Sequence, residues 1–135
     1  MSVSYLLDTN IVGYLLKGQM PLVELRCEQE DAASMAISSI TEGEVFYGVA
    51  NNPGAVRLRA AAESFFAKAI VLAWDSAAAR TYGQLRADQK RKGLPLSVED
   101  MMIAAHALSL DLTLVTHDNV FSFVDGLKTE DWTIA

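Results

Sequence analysis

The chain has little that would cross-link it, bind soft metals or carry it into a membrane. Only one of its 135 residues is cysteine, so no internal disulfide can form. Cys27 falls beside Leu22, Val23 and Leu25 in an amphipathic helical pattern, where its expected role is packing. Two histidines and that one cysteine make no His/Cys set at zinc-site spacing. No apolar run approaches the ~18 residues of a membrane span, and the N-terminus lacks a charged-then-apolar leader. A soluble, cytoplasmic protein is therefore expected. Basic residues are also in deficit, 11 against 17 acidic ones for a net charge of −6, which argues against broad electrostatic capture of nucleic acid. That argument weakens wherever carboxylates hold divalent cations, because the local charge is then neutralised or reversed.

What the chain does have is aliphatic bulk. Apolar residues make up 51% and aromatics only 8%, a balance suited to helices packed on a sheet. The length fits one domain, 1–135, with one well-filled core. The apolar runs at 4–7, 35–38, 70–74 and 112–116 are short, β-rich and mostly non-alternating, as buried parallel strands are. Between them lie helical patterns: 11–16, about 21–30, about 41–50, about 55–68 with Val56, Leu58, Ala62, Phe65 and Phe66 inward, about 76–92, and a helix opened by Ser97 after Gly93-Leu94-Pro95. A short helical piece at 120–124 and a last strand at 132–134 complete the series. Strands alternating with helices predict an α/β fold, a parallel sheet flanked by helices.

The segment Asp8-Thr9-Asn10 ends the first strand and opens the first helix. Asn10 is expected to cap that helix. This leaves Asp8 free at the carboxyl edge, where open α/β sheets place their ligands. Three more acids belong to the same edge. Glu44 and Asp100 each lie in the first turn of a helix, and each also completes a capping-box pattern, Thr41-x-x-Glu44 and Ser97-x-x-Asp100. Asp118 follows the fourth strand and can shape a turn. Asp75 differs, since capping the next helix explains it fully. Every strand of a parallel sheet ends at one edge, so Asp8, Glu44, Asp100 and Asp118 converge there. Packed carboxylates repel one another unless a cation lies between them, and oxygen-only ligands suit Mg²⁺ or Mn²⁺.

Glu42 and Glu99 are set aside because they stand about 200° and about 100° around their helices from Glu44 and Asp100. His106 is expected to be buried and hydrogen-bonded, and His117 to be an exposed loop residue beside Asp118. Carboxylate-held Mg²⁺ activates water and neutralises charge on a phosphodiester, so metal-dependent hydrolysis of nucleic acid leads. Thr9, Asn10, Thr116 and Asn119 either bind metal waters and phosphate oxygens or form turns. Lys90, Arg91 and Lys92 either grip phosphates or complement a helix C-terminus, with Lys17 and Lys128 as lesser candidates. Two alternatives remain. An aspartate-nucleophile phosphatase or dehalogenase also ends its first strand in Asp, although the phosphatases want a second Asp where Asn10 stands. A non-catalytic binding module would keep the fold alone.

Five segments carry a resemblance to a known family: LLDTN at 6–10, ISSITEGEVFYG at 37–48, GLPLSVEDMMIAAHAL at 93–108, LVTHDN at 114–119, and GLKTEDW near the end. Together they resemble the PIN-domain ribonucleases, and within them the VapC-type toxins of type II toxin–antitoxin pairs. The resemblance implies a sheet ordered 3-2-1-4-5 and Mg²⁺- or Mn²⁺-dependent endonucleolytic cleavage of a structured RNA such as tRNA, inhibiting translation. It implies Asp8, Asp100 and Asp118 as the closer metal ligands, with Glu44 acting through water or on a second ion. Many relatives carry an acid just before the phenylalanine of the last loop. Here Val120 precedes Phe121, which leaves Asp118 as the last ligand. A homodimer and a VapB-type antitoxin, with a basic side chain reaching the acidic pocket, are implied as partners.

Overall fold

The computed structural model describes residues 2–94 and 96–135, so the expected break at Pro95 lies outside the described residues. Five parallel strands form one sheet: β1 (Tyr5–Leu7), β2 (Met35–Ser38), β3 (Val71–Leu72), β4 (Thr113–Val115) and β5 (Thr129–Glu130), in the order β3-β2-β1-β4-β5. Among the described residues six α-helices connect or flank them: α1 (Thr9–Lys17), α2 (Pro21–Gln29), α3 (Ser39–Ala50), α4 (Val56–Lys68), α5 (Ser76–Lys92) and α6 (Val98–Ser109). The strand order is the one expected.

Neighbouring residues on each central strand point to opposite faces, and both faces are covered. Leu6, Ala36 and Leu114 join one apolar cluster with Leu85 of α5, Ala104 and Ala105 of α6, and Phe121. Leu7, Ile37 and Val115 join another with Ile11 and Val12 of α1 and Val23 of α2. This is why β1, β2 and β4 read as continuous apolar runs: neither face of the sheet meets water. Gly18 and Gly93, both in the left-handed region (φ 62° and 68°), end α1 and α5. Among the described residues no helix is long and apolar enough to cross a membrane.

Several local expectations are corrected. Asp8, not Asn10, caps α1: its side chain accepts from the Ile11 amide at 2.9 Å, and the helix already includes Thr9 and Asn10. Ser38, not Thr41, caps α3, so Thr41 lies inside the first turn, fully buried, with its hydroxyl 3.0 Å from that of Thr9. Glu44 is consequently one turn further into the helix than a capping box requires. Val56 at the start of α4 is 72% exposed, while Ala62 is buried as expected. β3 and β4 are shorter than the apolar runs that contain them. The last strand is Thr129–Glu130, paired with Leu114 and Val115, rather than 132–134. Trp132 instead turns inward, 2% exposed, edge-on to Tyr5.

Candidate active site

The register of the sheet builds the site. Leu7 lies beside both Ile37 and Val115, so the next residues, Ser38, Asp8 and Thr116, leave the sheet side by side. All three are buried, at 0%, 5% and 4% exposure. Ser38 caps α3 through the Ile40 amide, at 3.1 Å, and its hydroxyl also meets Nδ1 of buried His106 at 2.8 Å. Burial pushes the imidazolium pKa of His106 down, in keeping with its expected packed and hydrogen-bonded state. Thr116 accepts from the Asp118 amide at 3.0 Å, and its side chain is close enough to the Asp8 carboxylate to favour the ionised form. Asp8 is therefore aimed by its own peptide, whose amide donates to Val115, and by the Ile11 amide, with Thr116 beside it.

In front of Asp8 opens a cavity of about 210 Å³. Thr9, Asn10, Glu44, Glu99 and Asp100 line it with Asp8, and Ile103 and Phe121 supply apolar walls. Asp100 comes from the first turn of α6, where Ser97 caps the helix by accepting from the Asp100 amide at 3.1 Å, as the capping-box pattern predicts. Glu99, expected to point away because of its angle about the helix axis, lines the cavity too. Residues of a first helical turn splay around the helix end, and the end of α6 itself faces the opening. The paired acids at 99 and 100 were the available signal. Phe121 and Ile103 carried none, being indistinguishable from other core residues.

Asp118 stands outside this lining. It is exposed, caps a 3₁₀ turn at Asn119–Phe123 and accepts from the Val120 amide at 3.0 Å. It is nevertheless near enough to act on both aspartates. Burial raises the Asp8 carboxyl above the usual range against the pull of Thr116 and the Ile11 amide, and the charges of Asp100 and Asp118 raise it further. Burial likewise raises Asp100, opposed by Ser97 and reinforced by Asp118 and Glu99.

Among the described residues no three His, Cys, Asp or Glu side chains close into a ready-made ion cage. The donor set still fits Mg²⁺ or Mn²⁺: Mg²⁺ keeps several waters and is held by one or two carboxylates, and every charged group around the cavity is an oxygen acid. The basic cluster lies elsewhere. Lys92 pairs with Asp125 at 2.6 Å, Arg91 pairs with Asp88, and Lys90 is in the same last turn of α5. None of them lines the acidic cavity. Lys128 is engaged by Asp111, and Lys17 is exposed at the end of α1. The loop residue Asn119 is exposed at the start of the 3₁₀ turn.

A parallel sheet in the order 3-2-1-4-5, with acids from β1, α3 and α6 meeting at its carboxyl edge, defines a PIN-like fold. The chain belongs to the PIN-domain family, whose sequence pattern matches residues 5–127. Within it the chain is similar to VapC proteins. It is 39% identical over 132 residues to the tRNA(fMet)-specific endonuclease VapC of Shigella flexneri, covering 97% of this chain and 99% of that protein. It is 35% identical over 131 residues to a ribonuclease VapC of Haemophilus influenzae, covering 96% and 98%. The structure superposes on the crystal structure of DNA-bound VapBC from Salmonella typhimurium with a TM-score of 0.90 at 36% identity, covering 96% of this chain and 98% of that one.

Proposed function

We propose that the chain is a Mg²⁺- or Mn²⁺-dependent endoribonuclease, the toxin of a toxin–antitoxin pair, that cuts a structured RNA such as tRNA in the cytoplasm. The observation that carries this reading is the meeting of Asp8, Glu44, Glu99 and Asp100, from three elements far apart in sequence, around one small cavity. Its kinship with proteins named as ribonucleases and seen in VapBC complexes supports the substrate and the antitoxin partner. A homodimer fits the same family pattern.

Asp8 and Asp100 would hold the ion, with Glu44, Glu99 and Asp118 as the further oxygen acids around it. The chemistry such an ion would supply there is activation of a water and neutralisation of charge on the phosphodiester. Asp8 stays in position because the Ile11 amide occupies part of its acceptor capacity, leaving the remainder for the cavity. Thr9 and Asn10, at the N-terminus of α1, present donors to phosphate oxygens, and that helix end favours an anion. Ile103 and Phe121 keep one side of the cavity apolar, which strengthens the electrostatic contacts inside it.

The test is cleavage of RNA by purified protein with Mg²⁺ and in excess EDTA, with the products sequenced to map the ends. Mg²⁺-dependent internal cuts support the reading, and full activity in EDTA removes the metal from it. A covalent aspartyl adduct at Asp8 would favour the phosphatase-like alternative.

A further inference from the structure

Away from the acidic cavity, α5 buries a group that its neighbours leave unsatisfied. Leu85, Asp88, Gln89 and Lys92 recur at helical spacing, so they share one face of α5. Leu85 and Gln89 turn inward, 6% and 4% exposed. Leu85 belongs to the apolar cluster that also holds Val124, with Leu108 packed against it, so Gln89 stands where the pattern calls for another aliphatic. Its amide nitrogen is buried, and among the described residues no protein group accepts from it. Gln84 on the same helix is served, since its amide donates to Asp88 at 3.0 Å.

A buried donor without an acceptor costs more than a made bond contributes, and native interiors seldom keep one. Gln89 keeps it beside a cavity of about 260 Å³, whose apolar walls are Leu85, Leu108 and Val124. That volume lies below the roughly 300 Å³ at which pockets for drug-sized ligands begin, so it suits a single ring system. None of its lining residues borders the acidic cavity. Charge at the rim narrows the ligand further. Among the described residues that line it, Asp88 and Asp125 are the acids and Lys92 the cation, and Lys92 is tied to Asp125 at 2.6 Å. A phosphate or carboxylate meets no free cation there.

We propose that this cavity binds a free nucleobase of the adenine type, its flat faces against Leu85, Leu108 and Val124 and its polar edge on the Gln89 amide. A primary amide offers a donor and an acceptor side by side. Adenine presents the complement, N7 as acceptor and the N6 amine as donor, the pairing by which Gln reads that base in nucleic acids. Nε2 of Gln89 then donates to N7, and Oε1 accepts from N6. A nucleotide or an RNA strand suits the site less, because its phosphates find two carboxylates and no free cation at the rim. The binding needs neither metal nor RNA.

The experiment titrates the full isotope-labelled chain, in EDTA, with adenine, 7-deazaadenine, purine and a short oligoadenylate, followed by NMR. Adenine is expected to shift the Gln89 side-chain amide and the backbone amides at Leu85, Leu108 and Val124. 7-Deazaadenine has no acceptor for the lone donor and purine has no amine, so each should bind about tenfold more weakly, the scale of one hydrogen bond. Gln89→Leu, close in volume, should weaken adenine by about tenfold and no longer tell it from 7-deazaadenine, with a Tm that holds or rises as the lone donor disappears. The oligoadenylate should bind more weakly than adenine. Adenine that moves no signal on this face overturns the proposal, as does a wild type that binds adenine and 7-deazaadenine equally, a comparison that needs no variant. Adenine bound by Gln89→Leu as tightly as by wild type overturns it too. An oligoadenylate that binds more tightly than adenine, and through Gln89, assigns the cavity to a base of RNA and overturns the free-base assignment.

Discussion

Two aspartates leave the same sheet edge two strands apart, Asp8 after β1 and Asp131 after β5, and their surroundings treat them oppositely. Asp8 is 5% exposed and faces Asp100 and Asp118, so burial and like charge raise its carboxyl above the ordinary value. Asp131 is also disfavoured by burial, but the Thr133 and His117 contacts outweigh it and hold its carboxyl below the ordinary value. The next residue inward repeats the contrast. Glu130 shares Arg26 with Glu30, at 3.2 and 2.9 Å, and accepts from the Trp132 indole at 3.0 Å. Carboxylates that only hold the fold together are supplied with protein donors and cations. Those around the cavity have donors enough to be aimed but no cation among the lining residues, and such under-compensated charge marks a place built for something else.

The largest effect should come from setting the two aspartates against each other by the same substitution. Asp8→Asn retains a good helix cap and removes the charge, so cleavage should fall by at least about a hundredfold while thermal stability holds or rises. Asp131→Asn should keep cleavage of an all-ribose substrate within about tenfold and leave Tm lower, not higher. Cleavage assays beside melting curves check both, and an active Asp8→Asn would remove Asp8 from the mechanism.

The two carboxylates should also give stability opposite pH dependence in EDTA. The unfolded chain releases the Asp8 and Asp100 protons near 3.8, before the folded chain does, so stability falls as pH rises from there through their raised folded values. Asp131 works the other way. Its stabilisation is present above 3.8 and lost as pH falls through its lowered folded value. Melting curves from pH 3 to 7 should flatten on the upper side in Asp8→Asn and on the acid side in Asp131→Asn. Mg²⁺ should raise Tm in wild type and much less in Asp8→Asn, because a ligand that binds only the folded state stabilises it.

This contrast was half legible from the residues alone. The acidic residues at strand ends could be found because the strands are apolar runs and a parallel sheet brings their ends together. Which residue caps which helix could not, because Asp8 and Asn10 are equally good caps and only the register, with Asp8 beside Thr116 and Ser38, decides. The same ambiguity moved the start of α3 from Thr41 back to Ser39. The last strand was misplaced for a different reason. Trp132-Thr133-Ile134 has the stronger β-propensity, yet Thr129 and Glu130 take the pairing with Leu114 and Val115, while Trp132 fills the space beside Tyr5. Tertiary packing overrode local preference there.

A smaller effect is expected at the compensated end. Arg26 stacks over Trp132, 4.7 Å from the ring centroid, besides bridging Glu30 and Glu130. Its side chain is 38% exposed, so solvent screens the ion pairs, and Arg26→Ala should cost about 1 kcal/mol, a few degrees in Tm, with cleavage unchanged. A loss of cleavage equal to that of Asp8→Asn would erase the distinction between structural and functional carboxylates.

The smallest effect tests the cations that the cavity lacks. Lys92 is tied to Asp125 at the surface, and Arg91 to Asp88, in the last turn of α5 where positive charge complements the helix dipole. If that is their whole role, the double substitution Arg91→Ala and Lys92→Ala should shift stability by no more than about 0.5 to 1 kcal/mol, since exposed pairs contribute little. RNA affinity and its dependence on salt should stay as in wild type. If the cluster touches the phosphate backbone instead, affinity falls for every RNA sequence alike, and the slope of log affinity against log salt shrinks by about one for each phosphate no longer neutralised. Binding titrations at several salt concentrations separate the two outcomes, and the second would mean that the substrate reaches well past the acidic cavity, to the last turn of α5.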